Sequence, residues 1–253
     1  MRIIAGTARS RTLQAPKGMD TRPTLDRVRE NLFNILGHSV YDARVLDLFA
    51  GSGALSFEAL SRGASLAVLV DKARPAHLCQ RQNAETLGFT DRCRILLCPW
   101  ERAVDTLQRE GARFDLVFLD PPYAMTDLTE VTAALLPLLA EDGQVIVEHE
   151  ANKPSRVTPE LTLTDTRKYG YAGLSIYRQQ AQNAKVSKGR SQSPLAAPAG
   201  AEPPRRQKEN LPFKQPQTEP YHPMPPPPEA IGFSYPFLAN RPKIRYNNPI
   251  AKE

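Results

Sequence analysis

Between residues 44 and 149, five short apolar runs alternate with four helical stretches, and that rhythm leaves few architectures open. Residues 44–49, 66–71, 94–97, 114–119 and 144–149 read as strands, rich in Val, Leu, Ile and Phe as strands covered on both faces are. Residues 54–61, 73–87, 101–110 and 128–139 read as the helices between them. Strands joined through helices run parallel, so the core is a parallel sheet with helices on both faces. Two later runs, 161–167 and 174–178, have no helix between them. Tyr169-Gly170-Tyr171-Ala172-Gly173 joins them, which predicts an antiparallel hairpin at the end of the sheet. The expected class is α/β, with a mostly parallel seven-stranded sheet.

Ahead of the sheet, residues 2–6 and 12–15 flank a short Thr/Arg/Ser stretch and read as a small hairpin. Thr24 stands as an N-cap before Leu25, Val28, Leu32 and Ile35, a spacing that buries one helical face. Asp26, Arg27, Arg29 and Glu30 lie off that face. After Arg178 the pattern stops: 15 of the 24 prolines fall in residues 179–253, where no sustained periodicity appears. Missing backbone donors and scarce apolar residues predict a disordered tail. The expected organisation is an N-terminal extension over 1–40, a sheet domain over 41–178 and a Pro-rich tail over 179–253.

Charge divides the same way. Residues 1–178 hold 22 Lys/Arg against 22 Asp/Glu, so the net +6 resides beyond them. Residues 1–30 are locally basic, with seven Lys/Arg against three acids, which suits a polyanion met at one end of a neutral body. Cys79, Cys93 and Cys98 form no CxxC pair and have no His at metal-ligand spacing, so they read as reduced structural thiols and no metal is expected. No apolar run reaches the roughly 18 residues of a membrane span, and no secretory signal opens the chain. A reducing cytoplasmic setting without membrane attachment is expected.

Three elements carry chemistry. In Val45-Leu46-Asp47-Leu48-Phe49-Ala50-Gly51-Ser52-Gly53-Ala54-Leu55 a buried strand ends in a carboxylate and a Gly-x-Gly turn opens a helix. Glycines let the backbone approach a ligand at the carboxyl end of the sheet, where open α/β folds bind. A dinucleotide fingerprint would want a third glycine where Ser56 stands. Asp47 suits a cationic amino group better than a pyrophosphate. Asp71 closes the second strand, where a carboxylate can accept both ribose hydroxyls of a nucleotide-like cofactor.

The third element separates cofactors. The strand 114–119 delivers Asp120-Pro121-Pro122-Tyr123 at its carboxyl end. The Asp120 carboxylate and the Pro121 carbonyl can accept both protons of one planar amine, and the two prolines hold them stiffly. An exocyclic base amine has its lone pair delocalised into the ring. Two fixed acceptors favour its rehybridisation and aim it at a sulfonium methyl, so positioning and preorganised electrostatics supply the catalysis. Tyr123 offers a face for stacking an extruded base.

Asp120–Tyr123 resembles the signature of amino-methyltransferases that act on nucleic acid bases. Together with Thr21-Arg22-Pro23-Thr24, the helix 26–30, the Asp47–Gly53 turn and Gly170-Tyr171-Ala172-Gly173-Leu174-Ser175, it is similar to one family among them. These are the bacterial methyltransferases of RsmD type, which modify the exocyclic N2 amine of one guanine in small-subunit (16S) ribosomal RNA. The resemblance spans residues 1 to about 178. It implies a Rossmann-like methyltransferase sheet, S-adenosylmethionine as methyl donor, a monomer, and an rRNA target presented in an assembled or nearly assembled small subunit. Asp47, Phe49, Gly51 and Gly53 then fall in the cofactor loop, Asp71 at the ribose, and Asp120, Pro121, Pro122 and Tyr123 in the catalytic loop, with Asp120 also facing the cofactor. After the third strand such enzymes commonly place Asp or Asn against the adenine amine. This chain reads Cys98-Pro99-Trp100-Glu101, so the Trp100 amide or Glu101 takes that place.

Arg2, Arg9, Arg11, Lys17 and Arg22 are the expected phosphate contacts, which position RNA rather than identify a base. Two competing expectations remain on sequence alone. Asp-Pro-Pro-Tyr also serves adenine or cytosine amino-methylation in DNA, and a non-catalytic RNA-binding assembly factor could keep the same scaffold.

Overall fold

The computed structural model describes residues 1–16, 23–122 and 124–180. Of the tail expected over 179–253, Gln179 ends the last strand and Gln180 is described, while the rest lies outside the described residues, as do Lys17, Arg22 and Tyr123. Seven strands form one sheet in the order β3-β2-β1-β4-β5-β7-β6. They are β1 (Arg44–Asp47), β2 (Leu66–Asp71), β3 (Cys93–Leu97), β4 (Phe114–Leu119), β5 (Leu139–Glu150), β6 (Leu161–Tyr169) and β7 (Ala172–Gln179). β1 to β5 pair in parallel, while β7 runs antiparallel to both β5 and β6, as the short turn at Gly170 requires. The helices are α1 (Pro23–Leu36), α2 (Ala54–Ser61), α3 (Arg74–Leu87), α4 (Trp100–Arg109) and α5 (Thr129–Leu135).

Side chains alternate across the sheet and build two cores. Val45, Leu69, Leu116, Phe118 and Ile146 face one side, where they join Val28, Leu32 and Phe33 of α1, Phe57 and Leu60 of α2, and Ala84 and Leu87 of α3. Leu46, Val68, Val117, Leu119 and Val147 face the other, with Val104 and Leu107 of α4 and Val131 and Leu135 of α5. Each such Leu or Phe removed from water contributes about 1.5–3 kcal/mol. Ile3, Ala8 and Leu13 are buried in the first core, so the N-terminal segment shares that core. Among the described residues no helix is long and apolar enough to cross a membrane.

Several local expectations shift. The residue 2–15 hairpin forms a single antiparallel bridge, Arg2 to Thr12, rather than two strands. Thr24 lies inside α1, which starts at Pro23, a residue well suited to a first helical position. The buried face of α1 is Val28, Arg29, Leu32, Phe33 and Leu36, one residue round from the expected stripe, and Ile35 is 38% exposed. The rotation sets Phe33 against Phe118, ring centroids 6.0 Å apart, and turns Arg29 inward. Regular pairing of β1 stops at Asp47, although Leu48 still donates to the Phe118 carbonyl at 3.2 Å and Ala50 to that of Val70 at 3.0 Å. The helix expected over 128–139 ends at Leu135, passes through a 3-10 turn at Leu136–Leu138 and gives way to β5. Pro137 brings no amide to a continuing helix, and its ring crowds the carbonyl four residues back.

Candidate active site

The carboxyl edge of the parallel strands gathers four acids. Asp47 ends β1, Asp71 ends β2, Asp120 follows β4, and Glu148 lies near the end of β5. Their strands are consecutive neighbours in the sheet. Register puts them on one face: Asp47 pairs with Leu69 and Phe118, Asp71 is two residues past Leu69, Asp120 two past Phe118, and Glu148 two past Ile146. Leu69, Phe118 and Ile146 all belong to the α1–α3 core, so the acids top that side of the sheet.

Asp47 is 1% exposed. Its Oδ2 accepts the Ser56 hydroxyl at 2.9 Å, while Oδ1 is buried without a hydrogen-bond partner. Burial pushes this carboxyl up to about 7, opposed by the Ser56 bond and reinforced by Asp120 and Asp71. A buried carboxylate with a vacant acceptor beside two more acids favours a cationic donor.

The turn above it requires glycine. Gly51 and Gly53 have φ of +51° and +80°, and a Cβ on Gly53 would lie 2.5 Å from the Phe57 ring and 2.7 Å from Leu69. Asp71 pins this turn: Oδ2 accepts the Gly51 amide at 2.9 Å and Oδ1 the Ala73 amide at 2.8 Å. Each oxygen keeps a second lone pair for a hydroxyl donor, so the ribose reading and the loop-holding role are compatible. Gln80, buried in α3, donates to the Gly51 carbonyl at 2.9 Å. Asn83, one turn on, donates to the Ser52 carbonyl at 3.0 Å. Sequence reasoning missed both, because polar residues on an amphipathic helix read as its solvent face.

Phe49 and Trp100 are half-buried and pack against the second core, with Trp100 opening α4 and Pro99 as its N-cap. Asp120 is an exposed residue just past β4, yet protein crowding its carboxyl pushes it up to about 6. Desolvation, with Asp120 adding like charge, raises Glu148 to about 8. Pro121 and Pro122 line a cleft with Met125, Thr126, Glu148 and Lys153. His149 lines it too but is committed elsewhere: Nε2 lies 2.8 Å from Ser175 Oγ and Nδ1 2.9 Å from the Glu150 carbonyl. That carbonyl needs a donor, which places the proton on Nδ1 and lets Nε2 accept from Ser175. Glu148 was also missed. Its signal was legible, since Val145-Ile146-Val147-Glu148 repeats the pattern of an apolar strand ending in an acid.

The basic front end is divided by the fold. Thr7 donates to the Ser61 carbonyl at the last residue of α2, and Arg11 donates to the Thr86 carbonyl near the end of α3. Both helices run back from the carboxyl edge, so the exposed Arg9 and Arg11 lie at the end of the sheet away from Asp120, about 12 Å along α2. Arg2 is exposed as well. The three cysteines are free thiols, with Cys79 buried.

This sheet order, with its antiparallel β7 and its acids at the carboxyl edge, defines the Rossmann-like methyltransferase fold. The solved structure of a putative methyltransferase, yhhF, from Escherichia coli superposes with a TM-score of 0.62 at 36% identity, covering 72% of this chain and 99% of that one. The Escherichia coli (strain K12) ribosomal RNA small subunit methyltransferase D is 37% identical over 186 residues, 72% of this chain and 91% of that protein. A putative rRNA methyltransferase of Bacillus subtilis (strain 168), YlbH, is 37% identical over 184 residues, 71% of this chain and all of its own length. The family model described as conserved hypothetical protein 95 matches residues 1–178, and the chain belongs to that family, which is the RsmD type.

Proposed function

We propose that this chain transfers a methyl group from S-adenosylmethionine to the exocyclic N2 amine of a guanine in small-subunit ribosomal RNA. The observation that carries the reading is Asp120-Pro121-Pro122 at the carboxyl end of β4, one strand from the unpartnered Oδ1 of Asp47. That orphaned buried oxygen among neighbouring acids fits the cofactor's ammonium group. Asp71 and the Gly51–Gly53 turn would hold the ribose and the chain leading from it, with Phe49 and Trp100 beside the adenine. The cofactor supplies an electrophilic methyl on a sulfonium.

The protein's own groups do the rest by placement. The Asp120 carboxylate and Pro121 carbonyl accept the two amine protons and aim the nitrogen lone pair. The low-dielectric surroundings that push Asp120 upward also strengthen the hydrogen bonds it accepts. Tyr123 stacks on the base. Once the new bond forms the nitrogen is acidic, and Asp120 can take its proton. Arg2, Arg9, Arg11, Lys17 and Arg22 contact phosphates and so position the RNA, with Arg9 and Arg11 reaching it from the end of the sheet away from Asp120. In this reading residues 1–40 form the RNA-facing extension, 41–178 the catalytic domain and 179–253 an appended tail. The enzyme works as a cytoplasmic monomer on an assembled or nearly assembled subunit.

Labelled-methyl transfer to small subunits, naked rRNA and duplex DNA, followed by nucleoside mass spectrometry, tests the reading. N2-methylguanosine in subunit rRNA is the expected product. Label in DNA adenine or cytosine would replace the target, and no label in any substrate would leave only the RNA-binding role.

A further inference from the structure

Glu148 is the one acid of the four that the reading above does not use. Leu119 of β4 pairs with Val147 of β5, so the continuing register sets Asp120, just past the end of β4, beside Glu148 on strands spaced about 4.8 Å apart. On its other side Glu148 pairs with Leu174 of β7, which is buried and apolar. Among the described residues no hydrogen bond or ion pair engages the Glu148 carboxyl. It lines the same cleft as Pro121 and Pro122. A half-buried carboxyl without a partner costs stability, and here it points to a ligand group beside the one Asp120 holds.

We propose that Glu148 reads the identity of the base by accepting the ring N1–H of guanine next to the amine held by Asp120. This rests on the proposed N2 transfer and adds its selectivity. In guanine the amine lies between two ring nitrogens, and one of them, N1–H, is a donor. In adenine and cytosine the one ring nitrogen beside the amine is an acceptor. The carbonyl oxygen of Glu148 accepts N1–H whether or not the group is protonated, and its ionised form is acceptor-only. Ionised Glu148 would set lone pair against lone pair on a base with a ring acceptor there, and sites of that kind reject the mismatched analogue strongly. The protonated form that prevails below about pH 8 can donate to such a base, so the selectivity is read above that pH. Asp120 and Pro121 alone recognise an amine, which all three bases carry. A second acceptor at a fixed offset is what separates them.

The test replaces the target guanine, located by mass mapping of nuclease fragments of the labelled rRNA, with 2-aminopurine in ligated rRNA assembled into small subunits. 2-Aminopurine keeps the amine but offers an acceptor at N1. Single-turnover rates on both substrates above about pH 8, where Glu148 is ionised, give a guanine-to-2-aminopurine ratio for each enzyme, and any folding defect cancels within a variant. The expected wild-type ratio is about 10–100-fold. Glu148→Gln, whose amide can turn to donate or accept, should bring the ratio to within a few-fold. Glu148→Ala should also flatten it, at a lower rate on guanine. An unchanged ratio in both variants, or a wild type indifferent to the analogue, overturns the proposal. Wild-type enzyme that makes no N2-methylguanosine at all marks instead the failure of the underlying reading, and the proposal falls with it.

Discussion

Asn83 and Gln14 hold each other through both backbone groups of Gln14: its amide donates to Asn83 Oδ1 at 2.8 Å, and Asn83 Nδ2 donates back to its carbonyl at 3.0 Å. The same Nδ2 reaches the Ser52 carbonyl in the glycine turn. One buried amide therefore ties the segment leading toward Lys17 to the loop proposed to hold the cofactor. α3 serves as the post for both.

Asn83→Ala should leave three backbone groups without that partner. At about 1–3 kcal/mol for a buried group left unpaired, a loss of roughly 2–4 kcal/mol in urea unfolding is expected, with weaker cofactor binding. Asn83→Asp is nearly isosteric but turns a donor into an acceptor facing two carbonyls. It should bind cofactor worse than its size change explains. Unaltered stability and affinity in both variants would show that the clamp contributes nothing.

A second tie runs through Glu58, which is fully buried in α2. Oε2 accepts the Ile4 amide at 2.8 Å, and Oε1 accepts the Ala5 amide at 3.0 Å and Arg62 Nε at 2.7 Å. Arg29, 4% exposed, approaches Oε2 at 3.8 Å and also meets Asp26. Burial depresses the Arg29 guanidinium, and Asp26 and then Glu58 counteract it. Glu58→Ala would strand two amides and leave the buried Arg29 only Asp26 as an acid partner, a class of change that costs about 3–5 kcal/mol. At about 2–4 °C per kcal/mol for a domain of this size, the thermal midpoint should drop by roughly 6–20 °C. A drop of a degree or two would place the charge in water instead.

The parts legible in sequence are those encoded by local period. Apolar runs ending in Asp47, Asp71 and Asp120 gave strands, turn and acids, because hydrophobic alternation and glycine turns act over a few residues. What escaped depends on partners far along the chain. Arg29 and Glu58 each look like a surface charge, 29 residues apart, and only packing of α1 on α2 brings them together. Gln80 and Asn83 are likewise ordinary until the glycine turn lands on α3. The inward position of Arg29 also explains why the apolar stripe of α1 was displaced by one residue.

Asp47 sets stability against the proposed binding of the cofactor. Its folded value of about 7 lies above the ordinary aspartate range, so between about pH 4 and 7 the folded protein holds a proton that the unfolded chain has released. Its contribution therefore makes folding stability fall as pH rises through that window and level off above 7. Asp47→Asn can still accept the Ser56 hydroxyl but carries no buried charge. It should melt above wild type at pH 8 and lose the Asp47 part of the slope. Its affinity for S-adenosylmethionine should fall at least about tenfold, the worth of one charge-assisted bond. Wild-type binding should release a proton near pH 7, visible by calorimetry in buffers of different ionisation heat. A variant that binds normally, or melts below wild type at pH 8, would remove Asp47 from the cation site.

Asp120 carries the proposed mechanism. Its carboxyl is pushed up to about 6, and the proposed chemistry needs it ionised to accept from the amine. Single-turnover methylation at saturating cofactor should therefore fall as pH drops through about 6. Asp120→Ala should lose about 10²–10³ in rate, comparable to removing one preorganised oxyanion donor, with cofactor affinity within a few-fold of wild type. Asp120→Asn keeps an acceptor oxygen without the charge, so its rate should lie between the two and its acid limb should vanish. Tyr123→Phe keeps the stacking face and should be mild, whereas Tyr123→Ala should impair the RNA reaction more than cofactor binding. An intact limb near pH 6 in Asp120→Asn would assign the titration to another group, with Glu148 beside it the first to examine. Near-wild-type turnover by Asp120→Ala would reduce the loop after β4 to a structural turn and take away the observation on which the proposed activity rests.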